Sequence, residues 1–195
     1  MVSQQSSVGQ ISSSKKIILI TGPTSSGKSE FAEILAVKTK QAVVYIATAK
    51  VDKNDREWQA RIIKHQQRRP SSWRTLIAEK DLASCLDQIT RGECLLIDSL
   101  GTWVGNFMES DQEAWQQISD RLLASLQSTD AQVILVGEET GWGVVPAYAM
   151  GRLFRDRLGL LSRQVGNLAD TTYLVTGGHV LDLSLLGKPL SKYEI

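Results

Sequence analysis

Eight consecutive residues, Gly22-Pro23-Thr24-Ser25-Ser26-Gly27-Lys28-Ser29, have the types and spacing of a phosphate cradle. Glycines let a backbone wrap tightly and turn its N–H groups toward anionic oxygens. A lysine directly after the second glycine reaches β- and γ-phosphates, and the next serine hydroxyl joins a Mg2+ shell. The segment therefore points to a purine nucleoside triphosphate, with Lys28 on the phosphates and Ser29 on the metal. A second candidate is Asp98, which closes the apolar run Cys94-Leu95-Leu96-Ile97. A carboxylate there holds Mg2+ directly or through water; the same position also suits the N-cap of a following helix. A third candidate is the set Glu57, Arg61, His65 and Arg69, spaced by four. On a helix these share one face. A histidine between two arginines can act as a nucleophile or a phosphate ligand, with the arginines neutralising a triphosphate. The spacing equally describes a solvated face with ion pairs, and spacing alone favours that plainer reading. His179, beside Gly178, reads as a turn residue.

These residues need elements to hold them. Ile17-Ile18-Leu19-Ile20 is a continuous apolar run rich in β-branched residues, as in a strand buried on both faces, and it leads straight into the glycine loop. A helix is expected from about Lys28 to Thr39, then a strand over Ala42–Ala47. Asp52–Arg69 is charged and periodic and reads as a helix that Pro70 ends. Trp73–Leu76 is a short extended piece, and Asp81–Thr90 a helix. Cys94–Ile97 is a third core strand, Glu113–Gln127 a helix, and Gln132–Val136 a fourth strand. Gly141-Trp142-Gly143 and Pro146 mark a loop. A helix from about Ala147 to Asn167 follows, with an interruption expected at Gly159. Thr172–Val175 and Val180–Leu183 form a terminal hairpin around Gly177-Gly178. Strand alternating with helix predicts an α/β fold of the P-loop NTPase kind: a mostly parallel central sheet with helices on both faces. Ligands of such sheets lie at the carboxyl ends of the strands, where the glycine loop, Asp98 and Glu139 fall.

The chain has 195 residues, enough for one domain with a full core. Residues 15–195 read as that single catalytic domain, and residues 1–14, uncharged and rich in Ser and Gln, as a disordered tail. The net charge of +1 gives no bulk attraction to nucleic acid or membrane. The richest basic stretch, Arg68-Arg69 with Arg61 and Lys64 nearby, is too short for a duplex-binding surface. No apolar run is long enough to span a bilayer. Cys85 and Cys94 lack metal-site spacing and read as reduced thiols of a cytoplasmic protein.

Several segments together resemble one family. They are the glycine loop; Tyr45-Ile46-Ala47-Thr48-Ala49; Arg61-Ile62-Ile63-Lys64-His65 with Arg69-Pro70 and Trp73-Arg74-Thr75; Asp98-Ser99-Leu100-Gly101-Thr102-Trp103-Val104 with Asn106; Glu139 through Pro146; and Arg152-Leu153-Phe154-Arg155-Asp156 with Gly159 and Ala169-Asp170. Their order and spacing, from Lys16 to about Leu183, resemble the bifunctional adenosylcobinamide kinases/adenosylcobinamide-phosphate guanylyltransferases of coenzyme B12 assembly. The resemblance implies two reactions. The hydroxyl of adenosylcobinamide's aminopropanol arm takes a γ-phosphoryl from ATP or GTP. A histidine then attacks the α-phosphorus of GTP, and the GMP it holds passes to the new phosphate to give adenosylcobinamide-GDP. The family's nucleophile maps to His65. Its nucleotide contacts map to Gly22 through Ser29, to Ala47, Thr48 and Ala49, to Gln66, Gln67, Arg68 and Arg69, and to Asp98. Members are similar in forming homotrimers. The chain departs from the family pattern at Ile77, where a nucleotide-contacting carboxylate is usual, at Glu138, and at Leu161-Ser162-Arg163. A one-step P-loop kinase explains the glycine loop and Asp98 but leaves the His65 segment idle. A nucleotide-dependent switch has less in its favour, since neither a recognition helix nor a basic surface is visible.

Overall fold

The computed structural model describes residues 16–50, 60, 63 and 66–193. The chain runs β1 (Lys16–Gly22), α1 (Lys28–Lys38), β2 (Ala42–Ala47), β3 (Arg74–Ile77), α2 (Leu82–Asp87), β4 (Glu93–Asp98), α3 (Leu100–Gly105), α4 (Gln112–Ser128), β5 (Gln132–Glu138), α5 (Ala149–Leu168), β6 (Thr171–Thr176), β7 (His179–Asp182) and α6 (Leu183–Leu186). The strands form one sheet in the order β3-β2-β4-β5-β1-β6-β7. All neighbours are parallel except the β6–β7 hairpin. The α/β architecture expected from the alternation is therefore observed.

Apolar side chains on both faces of the central strands explain the two-sided covering. Ile18 and Ile20 of β1 pack with Val43, Tyr45, Cys94, Leu96, Ile134 and Val136 beneath Ala32 and Ala36 of α1. Ile17 and Leu19 turn the other way, toward Leu82, Leu100, Leu122, Leu158 and Val165 from α2 through α5. Because a strand alternates every residue, the same parity continues to the strand ends. Tyr45 and Asp98 thus emerge on the α1 face, and Thr21 on the α5 face. Trp103 and Phe107 meet edge to face at 5.0 Å, and Trp115 packs tilted against both at 5.8 and 6.1 Å, on that second face. The buried Arg157 guanidinium sits 5.2 Å from the Trp115 ring and donates to Phe107 O and Ser110 O, each at 2.7 Å.

Three details differ from the sequence expectation. α5 is continuous through Gly159, because a single glycine weakens a helix by only about 1 kcal/mol and α5 buries Leu158, Leu161 and Val165. α3, six residues with a glycine near each end, has no sequence periodicity to announce it. α2 ends at Asp87, short of Thr90. Of the helix expected over Asp52–Arg69, residues 60, 63 and 66–68 are helical and Arg69 forms a bend beyond them, while the rest, His65 included, lie outside the described residues.

Burial pushes the Cys94 thiol up to about 12, and raises the half-buried Cys85 as well. A small thiol reagent at pH 8 should modify Cys85 slowly and Cys94 only after denaturation, which mass spectrometry of the time course will read. Rapid modification of Cys94 in the folded protein would contradict the packing described for β4.

Candidate active site

The loop after β1 begins at a residue that has to be glycine. Gly22 has φ +151°, and a Cβ there would lie 2.2 Å from the carbonyl oxygen of Val175 in β6. β6 thus presses directly against the start of the loop. At its other end, α1 opens with no side chain on its first-turn N–H groups. By contrast α2, α3 and α4 are capped by Asp81, Ser99 and Asp111. Uncapped donors and the positive end of the helix dipole make that terminus receptive to an anion. Lys28 is buried, and its Nζ donates to Pro23 O at 2.6 Å across the loop.

Asp98 meets Ser29, the second residue of α1. Ser29 Oγ donates to Asp98 Oδ1 at 3.2 Å, and the Tyr45 hydroxyl donates to Oδ2 at 3.2 Å. The N-cap of the following helix is Ser99, so the Asp98 carboxylate is committed to Ser29 and Tyr45 rather than to α3. Burial, and then the adjacent Asp98 charge, hold the Tyr45 phenol well above the ordinary tyrosine range, so it remains a donor. Its ring carries the Arg69 guanidinium 3.3 Å from the centroid. Arg69 and Arg68 both reach Glu33 of α1, at 3.9 and 3.4 Å. Burial raises the Glu33 pKa above the usual carboxylate value, against the opposing pull of those two arginines. In this way the segment that follows His65 is tied to the helix that follows the phosphate loop.

A web of hydroxyls and amides fixes the opposite wall. Thr48 Oγ1 donates to Ser99 O at 2.7 Å and accepts from Ser99 N at 2.9 Å. Ser99 and Thr102 form a reciprocal capping box at α3. The Asn106 side-chain amide donates to Thr48 O and to Glu79 O, both at 2.7 Å, and Trp103 Nε1 donates to Lys80 O. α3 therefore clamps the chain after β2 to the chain after β3. Glu138, at the end of β5, accepts from Ser99 Oγ and from Gly101 N. The resulting cleft has a volume of about 560 Å³ and is lined by loop residues Thr24 through Ser29 together with Tyr45, Arg69, Asp98 and Glu138. Ser29 Oγ and the Asp98 carboxylate offer hard oxygen donors to a divalent cation.

Comparison with known proteins bears on this site. The profile of the CobU family, described as cobinamide kinase / cobinamide phosphate guanyltransferase, matches residues 18–183. The chain belongs to this family. It is 38% identical over 175 residues to a Pseudomonas aeruginosa protein named bifunctional adenosylcobalamin biosynthesis protein CobP, covering 88% of this chain and 98% of the relative. Proteins named bifunctional adenosylcobalamin biosynthesis protein CobU are 34% identical in Salmonella typhimurium and 35% in Escherichia coli K12. Each match covers 83% of this chain and 96% of the relative. Among solved structures, a structural-study target from Pyrococcus horikoshii OT3 shares the fold, with a TM-score of 0.52 at 6% identity, covering 86% of this chain and 85% of that one.

The segments that carried the CobU resemblance now have locations. Thr24, Ser25, Ser26, Gly27, Lys28, Ser29, Ala47, Ala49, Gln66, Arg68, Arg69 and Asp98 line one cleft. Gly22, Pro23, Thr48 and Gln67 are not on its wall: Gly22 shapes the loop, Pro23 receives Lys28, and Thr48 is buried in the hydroxyl web. His65 lies outside the described residues, one position before Gln66. Sequence reasoning missed Tyr45, Glu33, Thr102 and Asn106 as supports, and treated Glu138 only as a departure. Strand parity could have found Tyr45, because it shares a face with Asp98. Nothing in the sequence would have found Glu33, whose partners come from another element. Ile77, another departure, lines the cleft with its side chain largely exposed. Glu138, Ser162 and Arg163, the remaining polar departures, line a second and smaller cavity.

Replacing Asn106 by Ala leaves two carbonyls without their shared donor. It should lower stability by roughly 1–3 kcal/mol and weaken nucleotide binding. Thermal unfolding and a nucleotide titration measure both effects, and an unchanged melting temperature would remove the clamp from the description.

Proposed function

We propose that the chain phosphorylates the hydroxyl of adenosylcobinamide's aminopropanol arm with ATP or GTP. It then moves GMP from GTP to that phosphate through a guanylyl-histidine at His65. The observation that carries this reading is that Gln66, Arg68 and Arg69 line the same cleft as the glycine loop. A segment that begins one residue after the histidine therefore reaches the place where a triphosphate would lie. In the first step Lys28 and the open end of α1 hold the triphosphate while the arm's oxygen attacks the γ-phosphorus, loses its proton and expels the nucleoside diphosphate. In the second, a neutral His65 nitrogen attacks the α-phosphorus and expels pyrophosphate, with Arg68 and Arg69 stabilising the developing charge. The arm's phosphate oxygen then displaces the histidine and takes the GMP.

Mg2+ is part of this reading, and the donor set fits it. Ser29 Oγ and the Asp98 carboxylate would hold the ion, which when bound neutralises charge on the phosphate oxygens. Among the described residues no group of three or more His, Cys, Asp or Glu could cage a metal. A Mg2+ site of one serine and one carboxylate, completed by substrate phosphates and water, is the usual pattern for this ion. We also infer one catalytic domain over residues 15–195, supported by its single sheet, and a homotrimer in the cytoplasm. The exposed apolar side chains of Trp142, Val144, Val145, Tyr148 and Met150 support a subunit contact. The two free thiols support a reducing compartment. Within the described residues no helix is long and apolar enough to cross a membrane.

The decisive experiment uses GTP labelled on the α-phosphate, with and without adenosylcobinamide. Wild type should carry acid-labile label, and His65→Ala should carry none while still moving γ-phosphoryl to the acceptor. Lys28→Ala should lose both transfers by roughly 100-fold or more. Label that survives in His65→Ala removes His65 from the mechanism. Phosphorylated cobinamide without any GDP derivative from the wild type would leave a kinase alone.

A further inference from the structure

A second cavity of about 300 Å³ lies on the α5 face of the sheet, lined by Leu19, Thr21, Glu138, Glu139, Ser162 and Arg163 among others. Strand parity explains its position. Asp98 and Tyr45 leave the sheet on the α1 face, whereas Leu19 and Thr21 leave it on the other. The two cavities share one wall residue, Glu138. They are separated at the phosphate loop by a single position. Thr21 Oγ1 donates to Glu139 Oε1 at 3.0 Å, and Glu139 N donates to Gly22 O at 2.8 Å. A molecule seated in the second cavity thus lies beside the start of the loop that would hold the triphosphate.

Two features mark this space. Gly159 is in the middle of the 20-residue helix α5, where glycine costs about 1 kcal/mol relative to alanine. It lines the open side of the cavity at an exposed position, and a Cβ built on it meets no atom within 4 Å. Neither close packing nor backbone conformation therefore requires glycine there. Independently, Ser162 Oγ is shielded from solvent and has no hydrogen-bond partner. A buried hydroxyl without a partner costs free energy that a ligand with a polar group would recover.

The lining also selects a chemistry. Glu138 and Glu139 bring carboxylates whose first partners are Ser99, Gly101 and Thr21, Arg163 brings a guanidinium, Arg155 brings one that pairs with Asp156, and Leu19 brings apolar surface. Such a wall suits an uncharged aliphatic chain bearing an amide, whose N–H finds carboxylates and whose carbonyl finds guanidiniums. The volume is at the small end of ligand pockets, roughly 300–1,000 Å³, so it admits a side arm and not a macrocycle. We propose that this cavity is the acceptor subsite, which holds the amide-linked arm of the corrinoid so that its free end reaches the phosphate loop past Glu138. The assignment rests on the kinase and guanylyltransferase reading above.

Gly159→Leu in the full-length chain tests it, because the new side chain would enter open space. The variant should melt no lower than wild type and take label from GTP alone within about twofold of wild type. Its KM for adenosylcobinamide in the kinase step should rise about tenfold or more. Arg163→Glu, a change at an exposed helix position, is the second variant and should raise the same KM. An unchanged KM in both variants overturns the subsite. A parallel loss of GTP-only labelling in a folded variant also overturns it, because the cavity would then act on the nucleotide rather than the acceptor. A wild-type chain that neither labels nor phosphorylates overturns the functional reading, and this assignment falls with it.

Discussion

The Asp98 carboxylate is the point at which the site is joined. One oxygen receives the Ser29 hydroxyl from α1, and the other receives the Tyr45 hydroxyl from β2. Tyr45 in turn supports Arg69, and Arg69 pairs with Glu33 back on α1. This closed circuit links the glycine loop, the carboxylate at the end of β4 and the segment after His65. Its members come from distant parts of the chain, yet they converge because β2 and β4 are adjacent, parallel and in register, with Ala47 opposite Asp98. Alternation along the strands then sets which side chains face α1. Geometry that a catalytic site requires is here a by-product of pleat and register.

The two consecutive carboxylates at the end of β5 show how far that rule reaches. Glu139 turns to Thr21 on the α5 face, while Glu138 anchors Ser99 and Gly101 at the start of α3. Neighbouring residues of the same type therefore do different work. Glu138 joins the end of β5 to the turn that carries Asp98. Glu139 lies against the backbone of Gly22 and ties the loop to the other side of the sheet. The phosphate loop is braced from both faces at once.

Much of this was legible in the sequence. The apolar runs of β1, β2, β4 and β5 announced buried parallel strands, since only strands covered on both faces are apolar at every position. The glycine spacing announced the loop, and Asp98 at a strand end announced a partner for Ser29. Other parts were not legible, for physical reasons. α3 is too short to show a period, and its identity rests on a capping box and on Asn106 bonds to two distant carbonyls. Gly159 looks like a helix breaker because local propensity is all the sequence displays, whereas packing of its neighbours decides the matter. The Glu33 pairing and the second cavity depend on tertiary contacts that leave no local signature.

The contact between Gly22 and Val175 O has a consequence for the order of events during synthesis. Among the described strands β1 is made first, yet both its partners, β5 and β6, follow only after β2, β3 and β4. Asp170, just before β6, closes a two-way hydrogen-bonded clasp on Ile17. The glycine loop therefore takes its final shape only once β6 has left the ribosome and docked. Until then a nascent chain carries the complete loop sequence without the wall that bends it. Nucleotide binding should thus arrive only after β6 is made, as a property of the assembled sheet rather than of the segment that bears the motif.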